Sequence, residues 1–332
     1  MVIELKKEVS AAQAAELGVN NKCIVFEDNG RQVLVSASSL KTLPEGLAAY
    51  TEAWFPTSSD IQLAGKEYRA ARREIDLGFA RIGGETRNTL MITGPCSVES
   101  LEQITRSAEL CVSLGVKVLR AGCYKPRTSP YSFQGLGLEG LKLLAKMREK
   151  YGLQVITEVR DASHVDDVIE YTDIIQIGAK AMYDQGILRR CGQTQKPVLL
   201  KRGFGSTLQE FVQAAEFVLS GGNPNVVLCE RGIRTFETKT RFTLDLCGVA
   251  YLKQYTNLPV VLDPSHAMGY AYGVPDLTRA CMAMGIDGLL IETHPTPATA
   301  LSDASQQLDH AEYTTLYNSL KPVAAAVGHE MV

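Results

Sequence analysis

The chain has no apolar run near the roughly 18 residues that a membrane-spanning helix needs. Its first residues, Met1-Val2-Ile3-Glu4-Leu5-Lys6-Lys7-Glu8, lack the basic-then-apolar plan of a secretory signal. There is no excess of positive charge: 34 Lys and Arg stand against 37 Asp and Glu, a net charge of −3. That balance removes the electrostatic case for nucleic acid as a partner. None of the eight cysteines forms a C-x-x-C pair, and several lie in apolar runs such as Val226-Val227-Leu228-Cys229, where a free buried thiol is the default. The expected setting is the reducing cytoplasm, with no membrane partner.

The length of 332 residues is comfortable for one (β/α)8 barrel plus a small extra unit. Residues 1–60 read as that unit. Strand-like runs at 2–5, 23–26, 32–36 and 54–57 alternate with helical stretches at 10–17 and 43–53, with Ser10 as a cap. Asp28-Asn29-Gly30 reads as a hairpin turn. The order β-α-β-β-α-β is that of a ferredoxin-like α+β domain. Residues 56–60 read as a linker and 75–84 as a short hairpin. A barrel domain is expected over 66–332. Within it, apolar runs at 90–93, 116–119, 154–157, 174–177, 198–200, 226–228, 260–262 and 288–291 alternate with segments of helical period such as 101–114, 138–151, 208–219 and 242–255. Eight strands alternating with helices predict an α/β chain folded as a (β/α)8 TIM barrel. No G-x-G-x-x-G follows the first run to favour an open doubly wound sheet.

In such a barrel, chemistry sits at the C-terminal ends of the strands. Every apolar run here ends in a polar or reactive group: Cys96, Arg120, Glu158, Lys180, Lys201, Glu230, Asp263 and Glu292 lie at or just past the eight ends. Two sets emerge. Cys96, His266, Glu292 and Asp303 offer a thiol, an imidazole and two carboxylates, which suits Mn, Fe, Co or Zn better than Ca or Mg. Arg120, Lys125, Lys201 and Arg231 bring four cations together, which calls for an anionic ligand between them. The alternative for the cations is separate ion pairs with Glu158, Glu230 and Asp263 at the same ends.

The motifs Gly94-Pro95-Cys96-Ser97-Val98-Glu99, Lys125-Pro126-Arg127-Thr128-Ser129-Pro130, Leu200-Lys201-Arg202-Gly203, Cys229-Glu230-Arg231-Gly232, Asp263-Pro264-Ser265-His266 and Ile291-Glu292-Thr293-His294-Pro295 resemble those of the 3-deoxy-D-arabino-heptulosonate 7-phosphate synthases, most closely the type I-beta subgroup. The resemblance implies condensation of phosphoenolpyruvate with erythrose 4-phosphate, the first step of the shikimate pathway. It implies a divalent-metal site at Cys96, His266, Glu292 and Asp303. It implies a phosphoenolpyruvate site at Arg120, Lys125, Lys201 and Arg231, with Ala179 and the residue after it. Arg127 and Thr128 would hold the acceptor's phosphate. One position departs: the Arg that usually follows Gly178-Ala179 is Lys180 here, which keeps the charge and loses the planar fork.

By the same resemblance Lys125 is the expected proton donor to the nascent alkoxide, and Glu158 the group that handles the attacking water. The N-terminal unit would bind an aromatic amino acid effector, and the assembly would be a homotetramer or homodimer. A second reading is 3-deoxy-D-manno-octulosonate 8-phosphate synthase, which takes arabinose 5-phosphate. Its loop typically inserts an Asn between the Lys and the Arg, whereas Lys125-Pro126-Arg127 is one residue shorter. A third is a catalytically silent barrel whose N-terminal unit binds a ligand or partner.

Overall fold

The structure is a computed structural model that describes residues 1–28, 30–125 and 129–332. Strands β1 (Val2–Leu5), β2 (Ile24–Asp28), β3 (Arg31–Val35) and β4 (Thr51–Phe55) form an antiparallel sheet in the order β2-β3-β1-β4, the ferredoxin-like arrangement. The expected turn between β2 and β3 includes Asn29, outside the described residues; the flanking pair Asp28 and Arg31 is in hairpin register. Helix α1 (Ala11–Asn21) starts where Ser10 accepts from the backbone N–H of Gln13. The expected helix over 43–53 is only one turn, α2 (Glu45–Ala48). Beyond it the chain turns extended, because Thr51–Phe55 alternates in exposure and pairs with β1, placing Phe55 opposite Val2. Pairing with a sheet overrode the helical pattern.

Both faces of this sheet are covered. Ile3, Leu5 and Leu34 pack with Ala14 and Leu47 beneath the helices. Val2, Val33 and Val35 join the cluster that also holds the outer layer of the barrel. A buried carboxylate adds to the junction. Glu216, late in helix α3 (Leu208–Leu219), accepts from the backbone N–H groups of Gln62, Leu63 and Ala64 at 2.7, 3.1 and 2.8 Å.

The hairpin β5 (Glu74–Asp76) and β6 (Arg81–Gly83) leads into the barrel. Eight parallel strands follow in chain order: β7 (Asn88–Gly94), β8 (Val118–Arg120), β9 (Gln154–Val159), β10 (Ile174–Ile177), β11 (Val198–Lys201), β12 (Val226–Glu230), β13 (Val260–Leu262) and β14 (Gly288–Glu292). Pairing of β14 with β7 closes the ring. The strands read as unbroken apolar runs because both faces are buried. Leu90, Ile92, Val118, Ile156, Leu199, Val227 and Val261 point inward and pack on Ile75, Leu77 and Ile82 of the hairpin, which plugs the N-terminal end. Met91, Leu119, Val155, Ile175, Leu200 and Leu228 point outward under the helices. Near the C-terminus, β15 (Glu330–Met331) adds to the foot of β7.

The helical period read over 242–255 begins later, at α4 (Leu246–Tyr255), where Asp245 accepts from the N–H of Gly248. Residues 242–245 belong instead to the long loop after β12, whose arms are tied by paired backbone hydrogen bonds between Ile233 and Thr243. That loop hangs over the open end of the barrel and supplies side chains to the site.

Candidate active site

The strand ends converge on a polar cavity of about 280 Å³. Of the expected site residues, Lys125, Glu158, Ala179, Lys180, Lys201, Arg231, His266 and Asp303 line it. Cys96, Arg120 and Glu292 lie beneath its floor, each 2 % exposed or less. Arg127 and Thr128 fall outside the described residues.

The expected metal set is brought together. Ligand atoms of Cys96, Glu292 and Asp303 all lie within 4.8 Å of one another. Cys96 Sγ is 3.6 Å from Asp303 Oδ2, and His266 Nε2 is 3.5 Å from Glu292 Oε1 and 4.0 Å from Asp303 Oδ2. Donors around one tetrahedral ion sit roughly 3.3–3.8 Å apart; the separations of 3.6 and 3.5 Å match a transition metal or zinc, and that of 4.0 Å is slightly wider. The donor chemistry fits such an ion as well. Burial, reinforced by Glu292, pushes the Cys96 thiol up to about 12, and a divalent cation is what would stabilise its thiolate.

Two of the expected anion-binding cations are already paired. Arg120 donates from Nη1 to Glu292 Oε1 at 2.5 Å and to the carbonyl of Pro95 at 2.7 Å. Lys201 donates to Asp263 Oδ2 at 2.6 Å. Asp263 is fully buried, also lies 2.7 Å from His266 Nδ1, and accepts from the His266 backbone N–H. Burial alone would raise its carboxyl, but His266 and Lys201 hold it well below the usual range. Burial in turn lowers His266, against the pull of Asp263.

Lys125 donates to the carbonyl of Cys96 at 3.0 Å and sits 3.2 Å from its sulfur. Burial works to lower its ammonium, yet the facing Cys96 and Glu158 raise it on balance. Two glycines make room here. A Cβ on Gly122 would stand 2.8 Å from Lys125 Cδ, and one on Gly178 would stand 1.8 Å from Glu158 Oε1.

Arg231 differs from the other two. It is 4 % exposed, lines the cavity, and has no carboxylate in ion-pair reach among the described residues. Its Nη1 lacks a hydrogen-bond partner there, and burial lowers its pKa. Phe242 supplies a ring 4.4 Å from the guanidinium, and Phe204 stacks on Phe242 at 5.6 Å. Next to it, Arg202 donates to Glu230 at 3.0 Å and to Asp245 at 2.9 Å, clamping the strand end that carries Arg231.

Residues 69–327 match the DAHP synthetase I family. The chain belongs to that family. A phospho-2-dehydro-3-deoxyheptonate aldolase from Thermotoga maritima is 46 % identical over 80 % of this chain and 78 % of that protein. A crystal structure of DAHP synthase from the same organism superposes with a TM-score of 0.79 at 38 % identity, covering 100 % of this chain and 99 % of that one. A 2-dehydro-3-deoxyphosphooctonate aldolase from Magnetococcus marinus is 33 % identical over 75 % of this chain and 92 % of that protein.

Sequence reasoning missed several members of this DAHP synthase site. Asp263 was legible as a strand-end acid but not as the group that holds both Lys201 and His266. Phe204, Arg241 and Phe242 line the cavity from loops that carry no motif of their own. Gln306 and Gln307 stand behind the metal set with no local signal beyond following Asp303 in the chain.

Proposed function

We propose that this chain condenses phosphoenolpyruvate with erythrose 4-phosphate and water to give 3-deoxy-D-arabino-heptulosonate 7-phosphate and phosphate, the entry to the shikimate pathway. The observation that carries the reading is Arg231: a buried guanidinium facing a cavity with an open donor calls for an anion. Lys201, Lys125 and Lys180 add charge around the same space.

In this reading Arg231, Lys201, Lys180 and Ala179 hold the enol phosphate, and Arg120 and Lys125 its carboxylate end. Arg127 and Thr128 take the phosphate of the acceptor. The cradle brings the donor's terminal carbon to the aldehyde, where the new carbon–carbon bond forms. Lys125 gives a proton to the nascent alkoxide. Glu158 takes a proton from the water that adds to the donor's second carbon, and the carbon–oxygen bond to phosphate then breaks. Cys96, His266, Glu292 and Asp303 would hold the divalent ion, whose contribution when bound is Lewis-acid polarisation of the aldehyde oxygen.

The four-carbon acceptor is favoured over arabinose 5-phosphate by the 46 % identity to the heptulosonate enzyme against 33 % to the octulosonate relative, and by the Asn-free sequence Lys125-Pro126-Arg127. The test is phosphate release with each sugar phosphate, before and after chelation. Release with erythrose 4-phosphate that stops on chelation and returns with Mn²⁺ is expected. Turnover only with arabinose 5-phosphate, or turnover indifferent to chelation, refutes it.

We further read residues 1–60 as a regulatory unit on a catalytic barrel of 66–332, responding to an aromatic amino acid in a homotetramer or homodimer. A cleft of about 390 Å³ between the N-terminal sheet and the following segment, lined by Glu4, Lys7, Arg31, Tyr68 and Arg69, offers both signs of charge to a zwitterion. Gel filtration and activity with and without tyrosine or phenylalanine test both points. All eight cysteines are free, which fits a reducing cytoplasm; among the described residues no helix is long and apolar enough to cross a membrane.

A further inference from the structure

Behind the metal set stands a side chain that touches both of its carboxylates. Gln306 is 1 % exposed. Its Nε2 lies 2.5 Å from Glu292 Oε2 and 3.5 Å from Asp303 Oδ2. Its Oε1 accepts from Arg241 Nη1 at 2.6 Å. A guanidinium can only donate, so Arg241 fixes the amide oxygen toward itself and leaves the amide nitrogen facing the carboxylates. The arrangement has one sense.

The oxygens of Glu292 are thereby divided. Oε1 takes Arg120 and lies toward His266, while Oε2 takes the Gln306 amide. Asp303 is held from its own backbone as well. It sits at φ 47° and ψ 39°, a left-handed conformation that is costly for a residue with a Cβ. Gln307 secures the loop on the other side: its Oε1 accepts from the Cys96 N–H at 3.0 Å, and its Nε2 donates to the carbonyl of Ser302 at 2.9 Å. Two consecutive amides therefore grip the ends of β7 and β14 and the loop that carries Asp303. An amide is suited to this work. It donates a hydrogen bond to each acid without adding a charge that would repel a cation, as Lys would, or compete as a further anionic ligand, as Glu would.

We propose that Gln306, locked in orientation by Arg241, is a positioning residue that sets the separation and facing of Glu292 and Asp303 for the divalent ion. This rests on the metal reading above. Arg241 lies at the cavity wall, 3.4 Å from Asp303 Oδ2, so the lock reaches from the mouth of the cavity to the metal set.

The experiment is Mn²⁺ titration of the full-length protein after stripping with chelator, read as a dissociation constant independent of turnover. Gln306→Leu is expected to weaken Mn²⁺ by about 10–100-fold, and Arg241→Met by several-fold because the amide is freed to turn. Arg241→Lys, which keeps a donor on the amide oxygen, is expected to restore most of the affinity. Circular dichroism and melting of the stripped proteins check the fold. The Arg241 side chain is 39 % exposed, so its variants report even where Gln306→Leu does not fold. Wild-type Mn²⁺ affinity in Arg241→Met overturns the proposal while leaving the metal reading intact. A wild-type protein that takes up no Mn²⁺, or whose uptake survives Cys96→Ala, overturns the metal reading and the proposal with it.

Discussion

Arg231→Met separates a substrate-binding cation from a structural one. Met roughly fills the volume and keeps a favourable sulfur contact with Phe242. Among the described residues the wild-type guanidinium is buried with Nη1 unpartnered, which costs about 1–3 kcal/mol. The ring of Phe242 at 4.4 Å returns about 0.5–2 kcal/mol of that. Removing the charge should therefore leave the metal-stripped protein as stable as wild type or more so by about 1 kcal/mol, a rise in Tm of about 1–3 °C. Function should move the other way. Losing charge-assisted hydrogen bonds to an anion costs about 3 kcal/mol, on the order of 100-fold in kcat/KM for phosphoenolpyruvate. Paired melting curves and steady-state kinetics read both. A variant that melts several degrees lower with unchanged kcat/KM would refute the reasoning, since Arg231 would then be holding the fold and not the substrate.

Lys125→Ala is expected to lower kcat by about 10²–10⁴-fold, the usual worth of a positioned proton donor; unchanged kcat with raised KM would reduce Lys125 to a binding group. Gly178→Ala should cripple activity in a folded protein by displacing Glu158, whose oxygen is 1.8 Å from the added Cβ, and normal turnover would show that Glu158 has no need of its place. Burial raises Glu216 from an ordinary 4.5 to about 7, outweighing its three backbone donors. A carboxyl raised on folding stabilises fully below the unfolded value and loses that contribution as pH climbs through the folded one, here about 3 kcal/mol between pH 4.5 and 7. The stability of wild type relative to Glu216→Gln, whose side chain does not titrate, should accordingly fall as pH rises from 5 to 8, read from urea midpoints; a difference that does not change with pH argues against a raised Glu216.

The barrel was legible because its strands are buried on both faces and its helices on one, and each condition writes a local period into the chain. Even so, 43–53 and 242–255 were misread. Helical spacing in a short segment cannot report that a neighbouring strand, β1, or the opposite arm of a loop, Ile233, will claim the backbone instead. The candidate metal ligands and the cations were legible through their shared place at strand ends, together with the resemblance of their motifs. The lock on Gln306 and the double duty of Asp263 were not, since neither amide nor acid announces its partners.

By itself, the sequence determined the alternation of strands and helices and which reactive side chains stand at the strand ends. Only the closed barrel decided that Cys96 meets Asp303 across 207 positions and Arg120 meets Glu292 across 172. It also decided that Lys201 finds a carboxylate while Arg231, among the described residues, faces the cavity without one. The physical reason is range. Periodicity and capping act over a few neighbours along the chain, whereas charge pairing and metal spacing depend on distances that exist once β14 has hydrogen-bonded to β7.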